Sequence, residues 1–278
     1  MTSVVPPPPT ALQSTGMPQA PLVSQAPVRR ADAPSRGRGL RAAALAALCL
    51  AELLVVIDNT IVNVAIPTFA RDLNASTTGL QWIVDAYTLA FACLLLPAGH
   101  LGDRIGRRRV LVIGLAAFGV VSGATALCTT LDAVTTCRAL LGVCAALVYP
   151  ATLSLIMTTF EGSSRKGLAV GLWAATSGLG IALGPILGGL LLEHFSWESI
   201  FWVNVPLALI TVPAVLVAVP ESRSSEKARF DVVGAILSAI GVGALVWGII
   251  EGPHRGWTSG SVTTAFIVGA ICVSALVA

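Results

Sequence analysis

Eight long apolar runs constrain this chain more than any other feature of its sequence. They occupy residues 42–66, 80–101, 110–129, 133–157, 167–192, 200–219, 232–251 and 261–278. A helix rises about 1.5 Å per residue, so about 20 apolar residues cross a hydrocarbon core that is about 30 Å thick. Each run is close to that length, and we therefore expect an all-α polytopic membrane protein with eight transmembrane helices.

The composition excludes a water-soluble globule. Hydrophobic residues make up 55% of the 278 residues and charged residues 11%, with a mean hydropathy of +0.84. A soluble domain carries about 25% charged residues. The net charge of +3 is also too small for a nucleic-acid binder. We therefore expect the chain to be surrounded by membrane lipid and to bind no nucleic acid.

The chain divides into three expected regions. Eight of the sixteen prolines lie within the first 38 residues, where bulky apolar residues are scarce, and such a segment buries too little surface to fold. We expect a disordered, Pro-rich cytoplasmic tail over residues 1–40 and a six-helix bundle over 41–219. Residues 220–278 are expected to form a cytoplasmic loop and helices 7 and 8. The last run reaches Ala278 without a polar flank, which favours a chain that is cut off within a longer protein.

The basic residues predict the orientation in the membrane. Fourteen Lys and Arg residues lie in the tail and in the loops after runs 2, 4 and 6, whereas the opposite side has only Arg71 and Arg255. Because cytoplasmic loops retain Lys and Arg, we expect a multi-pass protein of the cell membrane with a cytoplasmic N-terminus. Trp82, Trp197 and Trp257 fall at the predicted outer boundary, where an aromatic belt is typical.

Few ionisable residues lie inside the apolar runs, and such residues usually mark a functional pathway or a helix contact. Asp58, Asp85 and Arg138 are predicted at a similar depth, in the outer half of runs 1, 2 and 4. Two carboxylates beside one guanidinium can act as a protonation switch, because a carboxylate pairs with Arg138 only after it has lost its proton. The alternative is a static ion pair that holds three helices together. Glu52, nearer the inner half of run 1, has no assigned role at this point.

Small residues are concentrated in run 5. Gly180, Gly184 and Gly188 recur every four residues and form a smooth stripe on which another helix can pack closely. Pro185 lacks a backbone N–H donor and bends a helix, and Gly189 is a further small residue in this run. We favour a hinge or shear surface here, with ordinary tight packing as the alternative.

The loop after run 2 combines glycines with a dense group of charges. Its four arginines, at positions 104, 107, 108 and 109, are sufficient as topology anchors, but anchors do not explain the carboxylate of Asp103 among them. We expect a charge network that locks one conformation of the helix pair, and the glycines, which include Gly99 and Gly106, permit a tight turn.

These segments resemble motifs of the major facilitator superfamily. Residues 99–111 resemble its G-x-L-a-D-R-x-G-R-R/K signature between the second and third helices, and residues 180–189 are similar to the fifth-helix motif of its antiporters. Residues 57–67 resemble the first-helix motif of the 14-helix drug:proton antiporter branch, as do residues 197–206 and 251–257. The resemblance extends over residues 41–278, the N-terminal part of such a transporter.

The resemblance implies proton-coupled efflux of drugs or metabolites by alternating access. It assigns proton coupling to Asp58 and Arg138, beside which we place Asp85. It also implies that Asp103, Arg104, Arg107 and Arg108 latch the outward-facing state, and that Pro185 and the glycines of run 5 limit leak. The expected substrate is a lipophilic or cationic small molecule, and the proton motive force replaces any cofactor. A second six-helix half, which transport requires, is implied but is missing from this chain.

One departure from the family pattern affects the surroundings of Arg138. The fourth-helix motif R-x-x-Q-G-x-G has Leu141 in place of the usual Gln and Cys144 in place of the last Gly. The family's detailed hydrogen bonding around Arg138 is therefore not carried over to this chain.

Other classes of membrane protein explain the sequence less well. An enzyme requires a catalytic cluster, and the sequence has no Ser/His/Asp set, no HExxH motif, no glycine-rich nucleotide loop and no metal-ligand spacing of Cys and His. We therefore expect no enzymatic activity and no metal site. A non-transporting membrane protein, an inactive truncated transporter and a proton-coupled importer remain open alternatives.

Overall fold

The structure, a computed structural model, describes residues 37–223 and 232–277. Within these ranges all regular elements are α-helices, which confirms the expected all-α class. The helices are α1 (Arg38–Asp72), α2 (Thr77–Ile105), α3 (Arg107–Thr125), α4 (Leu131–Thr159), α5 (Lys166–His194), α6 (Ser199–Trp202), α7 (Asn204–Ala218), α8 (Val232–Arg255) and α9 (Gly260–Val277).

The predicted apolar runs correspond to these helices. Among the described residues, seven helical segments are long and apolar enough to cross a membrane, with α6 and α7 together forming one of them over Ser199–Ala218. The apolar helix Gly260–Leu276 within α9 is shorter. Most helices extend beyond the apolar runs, and α1 begins four residues before residue 42 and ends six residues after residue 66. A run marks the stretch that lipid requires to be apolar, whereas the helix continues through polar residues beyond it.

Helical hydrogen bonding in the sixth run is interrupted near its start. Pro206 has no N–H to donate to the carbonyl of Trp202, and its ring crowds that carbonyl, so a continuous helix is disfavoured there. The chain accordingly forms the short α6, passes through Val203 and begins α7 at Asn204. This break positions Asn204 at the first turn of α7.

The first seven helices form one bundle, on which α8 and α9 pack as a pair. α1 packs against α5, α7 and α4, and α2 packs against α4, while α3 contacts α4 and α7. α8 contacts α9 and α2. The core contains fully buried large side chains from several helices, among them Phe69, Phe118 and Phe201.

Trp197 lies inside this core, and its prediction as an interfacial residue is wrong. Its side chain is buried, and its ring centroid is 5.3 Å from that of Phe69 and 6.2 Å from that of Phe201. The segment between α5 and α7 turns back over the end of α1, which encloses the indole. Trp257, in contrast, is exposed and stacks on Phe266.

Some expectations fall on residues that the structure does not describe. They include most of the tail predicted over residues 1–40 and part of the cytoplasmic loop after run 6. Residues 1–36 and 224–231 lie outside the described ranges, so the structure carries no statement about either segment there.

Candidate functional site

Asp58 and Arg138 form an ion pair in the centre of the bundle. Nη1 of Arg138 on α4 donates to Oδ2 of Asp58 on α1 over 2.7 Å, and both side chains are 0% exposed. Separating such a pair leaves a charge buried without a partner, which is strongly unfavourable. The structure therefore brings together two of the three residues that we predicted as the protonation switch.

Asn204 extends this pair into a network. Its Nδ2 donates to Oδ1 of Asp58 over 2.7 Å and to Oγ of Ser122 over 3.0 Å. Ser122 on α3 donates in turn to the carbonyl of Phe201 over 2.8 Å. Both oxygens of the Asp58 carboxylate thus accept a hydrogen bond, and the network joins α1, α3, α4 and α7 with the carbonyl end of α6.

Arg138 makes two further contacts, both with α2. Its Nε donates to the carbonyl of Ile83 over 3.2 Å, and its guanidinium carbon lies 4.2 Å from the centroid of the Tyr87 ring. Gly142 makes this geometry possible, because a Cβ at that position would overlap the carbonyl oxygen of Tyr87. The glycine that the family motif shares with this chain therefore permits α2 and α4 to approach closely beside the guanidinium.

This arrangement links proton binding to helix contacts. Protonation of Asp58 removes the charge that compensates Arg138, and the guanidinium must then find another partner or move. Because the carboxylate and its partners come from different helices, any such movement changes packing between helices. Loss of the ion pair would therefore alter the packing between these helices.

Asp85 does not belong to this network, contrary to our prediction. Among the described residues it forms no ion pair with Arg138, and the ionisable side chains near it are His254 and Glu251 of α8. Successive helical residues are rotated by about 100°, so Asp85 points away from Ile83 and Tyr87, each two residues distant. The sequence argument compared the depths of these residues but did not consider the helical face on which Asp85 lies.

The charged loop between α2 and α3 forms two clusters. In the first, Asp103 binds Nε and Nη2 of Arg107 at 2.7 Å, one helical turn further along the chain. In the second, Glu221 lies 3.9 Å from Nε of Arg108 and 3.7 Å from Nε of Arg109, and it accepts the backbone N–H of Arg108 over 3.1 Å. Asp103 thus contacts Arg107, one of the arginines predicted around it, whereas Arg108 and Arg109 lie near Glu221, which the sequence argument missed.

The turn in this loop depends on Gly106, the single residue between α2 and α3. Its φ of 118° is unfavourable for any residue with a side chain, and a Cβ would lie 2.7 Å from Oε1 of Glu221. Nη1 of Arg108 also donates to the carbonyl of Val219 over 3.1 Å and so caps the end of α7. Arg104 lies in the last turn of α2, and Gly99 faces Pro150 of α4.

The glycine stripe of α5 packs directly on α1. Gly180 is buried against Val56, and Gly188 is buried against Ile61. At Gly184 a Cβ would overlap Oγ1 of Thr60. Gly189 has no atom within 4 Å of the place where a Cβ would lie, and Pro185 is exposed, so these two lie on another side of α5.

Ser122, Tyr87 and Asn204 are site residues that the sequence argument also missed. Asn204 carried a usable signal, because an amide within an apolar run usually binds a group on another helix. Tyr87 and Ser122 carried none, since either residue is common in a membrane helix. Within residues 37–223 and 232–277, no group of three His, Cys, Asp or Glu side chains is arranged to hold a metal ion.

Comparisons with known proteins identify the family of the chain. The family model of the Major Facilitator Superfamily matches residues 48–278. The chain is 44% identical to "Multidrug efflux pump LfrA" of Mycolicibacterium smegmatis over 82% of its length and 45% of the relative's. It is 39% identical to "Tetracenomycin C resistance and export protein" of Streptomyces glaucescens over 82% of its length and 42% of the relative's.

A solved structure shows the same fold at low sequence identity. A crystal structure of the peptide transporter POT in complex with sulfate matches 80% of this chain and 49% of its own, with a TM-score of 0.60 and 16% identity. The present chain spans about half the length of the curated relatives that it matches.

Proposed function

The chain belongs to the Major Facilitator Superfamily, a family of transporters and not of enzymes, and on this premise we propose that it takes part in proton-coupled efflux of small molecules. The observation that carries the proposal is the buried ion pair between Asp58 and Arg138 with its network across the bundle. An ionisable pair at such depth is costly in a membrane and usually has a functional role.

In the proposed cycle, Asp58 exchanges a proton with the aqueous side to which the transporter is open. When Asp58 is ionised, Arg138 and Asn204 hold it, and the helices pack as in this structure. When Asp58 binds a proton, the attraction to Arg138 falls, and α4 is free to shift against α1. Alternating access follows if substrate and proton favour opposite packings.

The proposal includes the localisation and the second half of the transporter. We place the chain in the cell membrane with a cytoplasmic N-terminus, because most basic residues lie on one side. We also propose a six-helix bundle over residues 41–219, with α8 and α9 beside a second six-helix half. Asp103 and its arginines, together with Glu221, would latch one state at the cytoplasmic end.

The proposed substrate is a lipophilic or cationic organic molecule. The named relatives are a multidrug efflux pump and a resistance and export protein for tetracenomycin C. In this chain α1 exposes Asn59 and Asn63, one turn apart, at the middle of an apolar helix. Amides are unfavourable against lipid, so these two support an aqueous substrate cavity along this face of α1.

Efflux of a lipophilic cationic dye tests the proposal. Cells that express the gene encoding this chain should lose dye when a proton gradient is imposed, and Asp58→Asn should abolish that loss at an unchanged membrane level. Asp132→Asn is the matched control, because it makes the same chemical change in the first turn of α4, outside the network. Unchanged efflux by Asp58→Asn would refute the coupling role, and gradient-driven dye uptake would favour an importer.

A further inference from the structure

Glu52 is a second buried carboxyl on α1 to which the proposed cycle gives no role. It lies six residues before Asp58, about 9 Å along the helix axis, and its side chain is 0% exposed. Among the described residues it forms no ion pair. Its hydrogen-bonding neighbours are neutral: Ser177 and Trp173 on α5 and Thr152 on α4.

The hydrogen bonds of Thr152 indicate which form of Glu52 fits the site. A hydroxyl has one proton to donate and two lone pairs to accept. Thr152 donates its proton to the carbonyl of Tyr149 over 2.8 Å, and one of its lone pairs accepts Nε1–H of Trp173 over 3.2 Å. Oγ1 of Thr152 also lies 3.5 Å from Oε2 of Glu52. Because its single proton is used in the shorter bond to Tyr149, we infer that the hydroxyl meets Oε2 through its second lone pair.

The other carboxyl oxygen already has a donor. Oγ of Ser177 donates to Oε1 of Glu52 over 2.8 Å. A proton on Oε2 would complete the group, because Oε2–H then donates to the remaining lone pair of Thr152. An ionised carboxylate would instead face that lone pair, or would require Thr152 to give up its shorter bond to Tyr149.

We propose that Glu52 is a second proton-binding site of this protein, and that the structure shows it with the proton on Oε2. The site is separate from the pair of Asp58 and Arg138, because no residue that bonds Glu52 also bonds that pair.

No titratable group described around Glu52 becomes positive: each is neutral with its proton and negative without it. Those that interact with it electrostatically are Cys49 on its own helix, Tyr149 on α4 and Tyr87 on α2. The side chains that α5 presents to it, Ser177 and Trp173, do not titrate, and the sequences of α6 and α7 contain no titratable residue. No cationic group described near Glu52 can compensate a carboxylate, so this environment favours the protonated carboxyl.

Tyr87 connects the two proton sites. Its ring lies against Arg138, and its hydroxyl is near enough to Asp58 and to Glu52 to be affected by the charge of either carboxyl when that carboxyl is ionised. The consequence for transport rests on the function proposed above. In that case α1 would bind two protons at different depths, and a change in the protonation of Glu52 would alter its hydrogen bond with Ser177 on α5.

Infrared difference spectroscopy tests proton binding without any transport. The protein encoded by the gene, purified into lipid nanodiscs, is compared between about pH 5 and about pH 9, where carboxyl groups of unusual proton affinity change state. We expect a C=O band of a protonated carboxyl that Glu52→Gln removes and Asp58→Asn retains. A Glu52→Gln spectrum identical to that of the parent protein would overturn the proposal.

Two milder variants should shift the pH midpoint of the Glu52 band in opposite directions, which a purely structural role of Glu52 does not predict. Thr152→Val removes the acceptor for the protonated form, so the pH midpoint of the Glu52 band should fall by about one unit. Ser177→Ala removes a donor that favours the charged form, so the midpoint should rise. A rise in Thr152→Val would mean that Thr152 donates to a carboxylate, which would overturn the assignment of the proton.

Dye efflux separates this proposal from the proposed function. If the protein is the proposed antiporter, Glu52→Gln should slow efflux while Asp58→Asn abolishes it. Loss of the infrared band with no effect on efflux would confirm the proton site and overturn its role in transport. Failure of Asp58→Asn to affect efflux refutes the proposed function but leaves the infrared assignment of Glu52 intact.

Discussion

Two cysteine thiols lie close together at the connection between α3 and α4, at the opposite end of α3 from the arginine-rich turn. Sγ of Cys128 lies 3.8 Å from Sγ of Cys137, and both are free cysteines. Cys128 lies in the connection between the two helices. Burial, reinforced by the neighbouring Cys137, raises the pKa of the Cys128 thiol to about 11.

We expect this pair to form a disulfide slowly at neutral pH and faster in alkali. The thiolate is the nucleophile in exchange with oxidised glutathione, and below a pKa of about 11 its fraction at Cys128 rises about tenfold per pH unit. Mass spectrometry of peptides after exchange at about pH 7 and about pH 9 measures the product. Cys128→Ser is the control that must abolish it, and equal rates at both pH values would contradict the expectation.

The site residues divide into those that a sequence can identify and those that it cannot. Asp58 and Arg138 were identifiable because a charge in an apolar run has few benign explanations. Asp85 met the same criterion but lies near α8 and outside the network of Asp58. The sequence does not show which helix packs against a given face of α2. Glu221 lies just after the sixth run, and only the folded chain shows that it returns to Arg108.

At the scale of helices, the contact between α1 and α5 depends on the absence of side chains. Gly184 lies so close to Thr60 that an added Cβ would overlap its hydroxyl. The predicted glycine stripe therefore has a partner, which the sequence did not identify. The structure shows a tight contact here, and movement across it remains a prediction.

Gly184→Ala should lower the free energy of unfolding by about 1–3 kcal/mol, because the added methyl overpacks the contact between α1 and α5. Gly189→Ala makes the same change on the same helix where nothing lies within 4 Å, and it should be neutral or stabilise by about 0.5–1 kcal/mol. Thermal unfolding of both variants in detergent measures the difference. Equal stability of the two variants would show that the stripe tolerates a side chain.

Helix existence was predictable throughout the described ranges, whereas helix ends were not. Apolar length identifies a span because lipid requires it, and each predicted run has a helix. The ends are determined by caps and turns, such as the hydroxyl of Ser76 that accepts the N–H of Gly79 at the start of α2. Helical hydrogen bonding is interrupted at Val203, but the backbone there keeps helical dihedral angles (φ −61°, ψ −28°), so the span Ser199–Ala218 continues past Pro206.

At the scale of the whole molecule, the charged loop joins distant parts of the chain. Glu221 and Ser222 follow α7, yet Ser222 accepts the backbone N–H of Arg107 over 2.9 Å and Glu221 accepts that of Arg108. The turn between α2 and α3 is thereby fixed to the end of α7. Asp103 and Arg107 lie beside this junction and are partly exposed.

Asp103→Asn should impair transport more than folding. An ion pair this exposed contributes only about 0–1 kcal/mol to stability, so membrane level and thermal unfolding should change little. A latch that holds one state of a transporter should, in contrast, affect dye efflux strongly. The measurement is efflux per molecule of inserted protein, with Asp132→Asn as the matched carboxylate control, and a parallel loss of insertion and efflux would indicate a static anchor.

The network around Asp58 has a consequence for how this protein can evolve. Replacing Asp58, Arg138 or Asn204 singly leaves a buried polar group without its partner, so the first step of most changes is unfavourable even when the final combination would be sound. These three positions, although far apart in the sequence, should therefore be substituted in a correlated way. In lineages of this protein we expect them to change together or not at all, while exposed neighbours such as Asn59 vary freely with the compounds encountered.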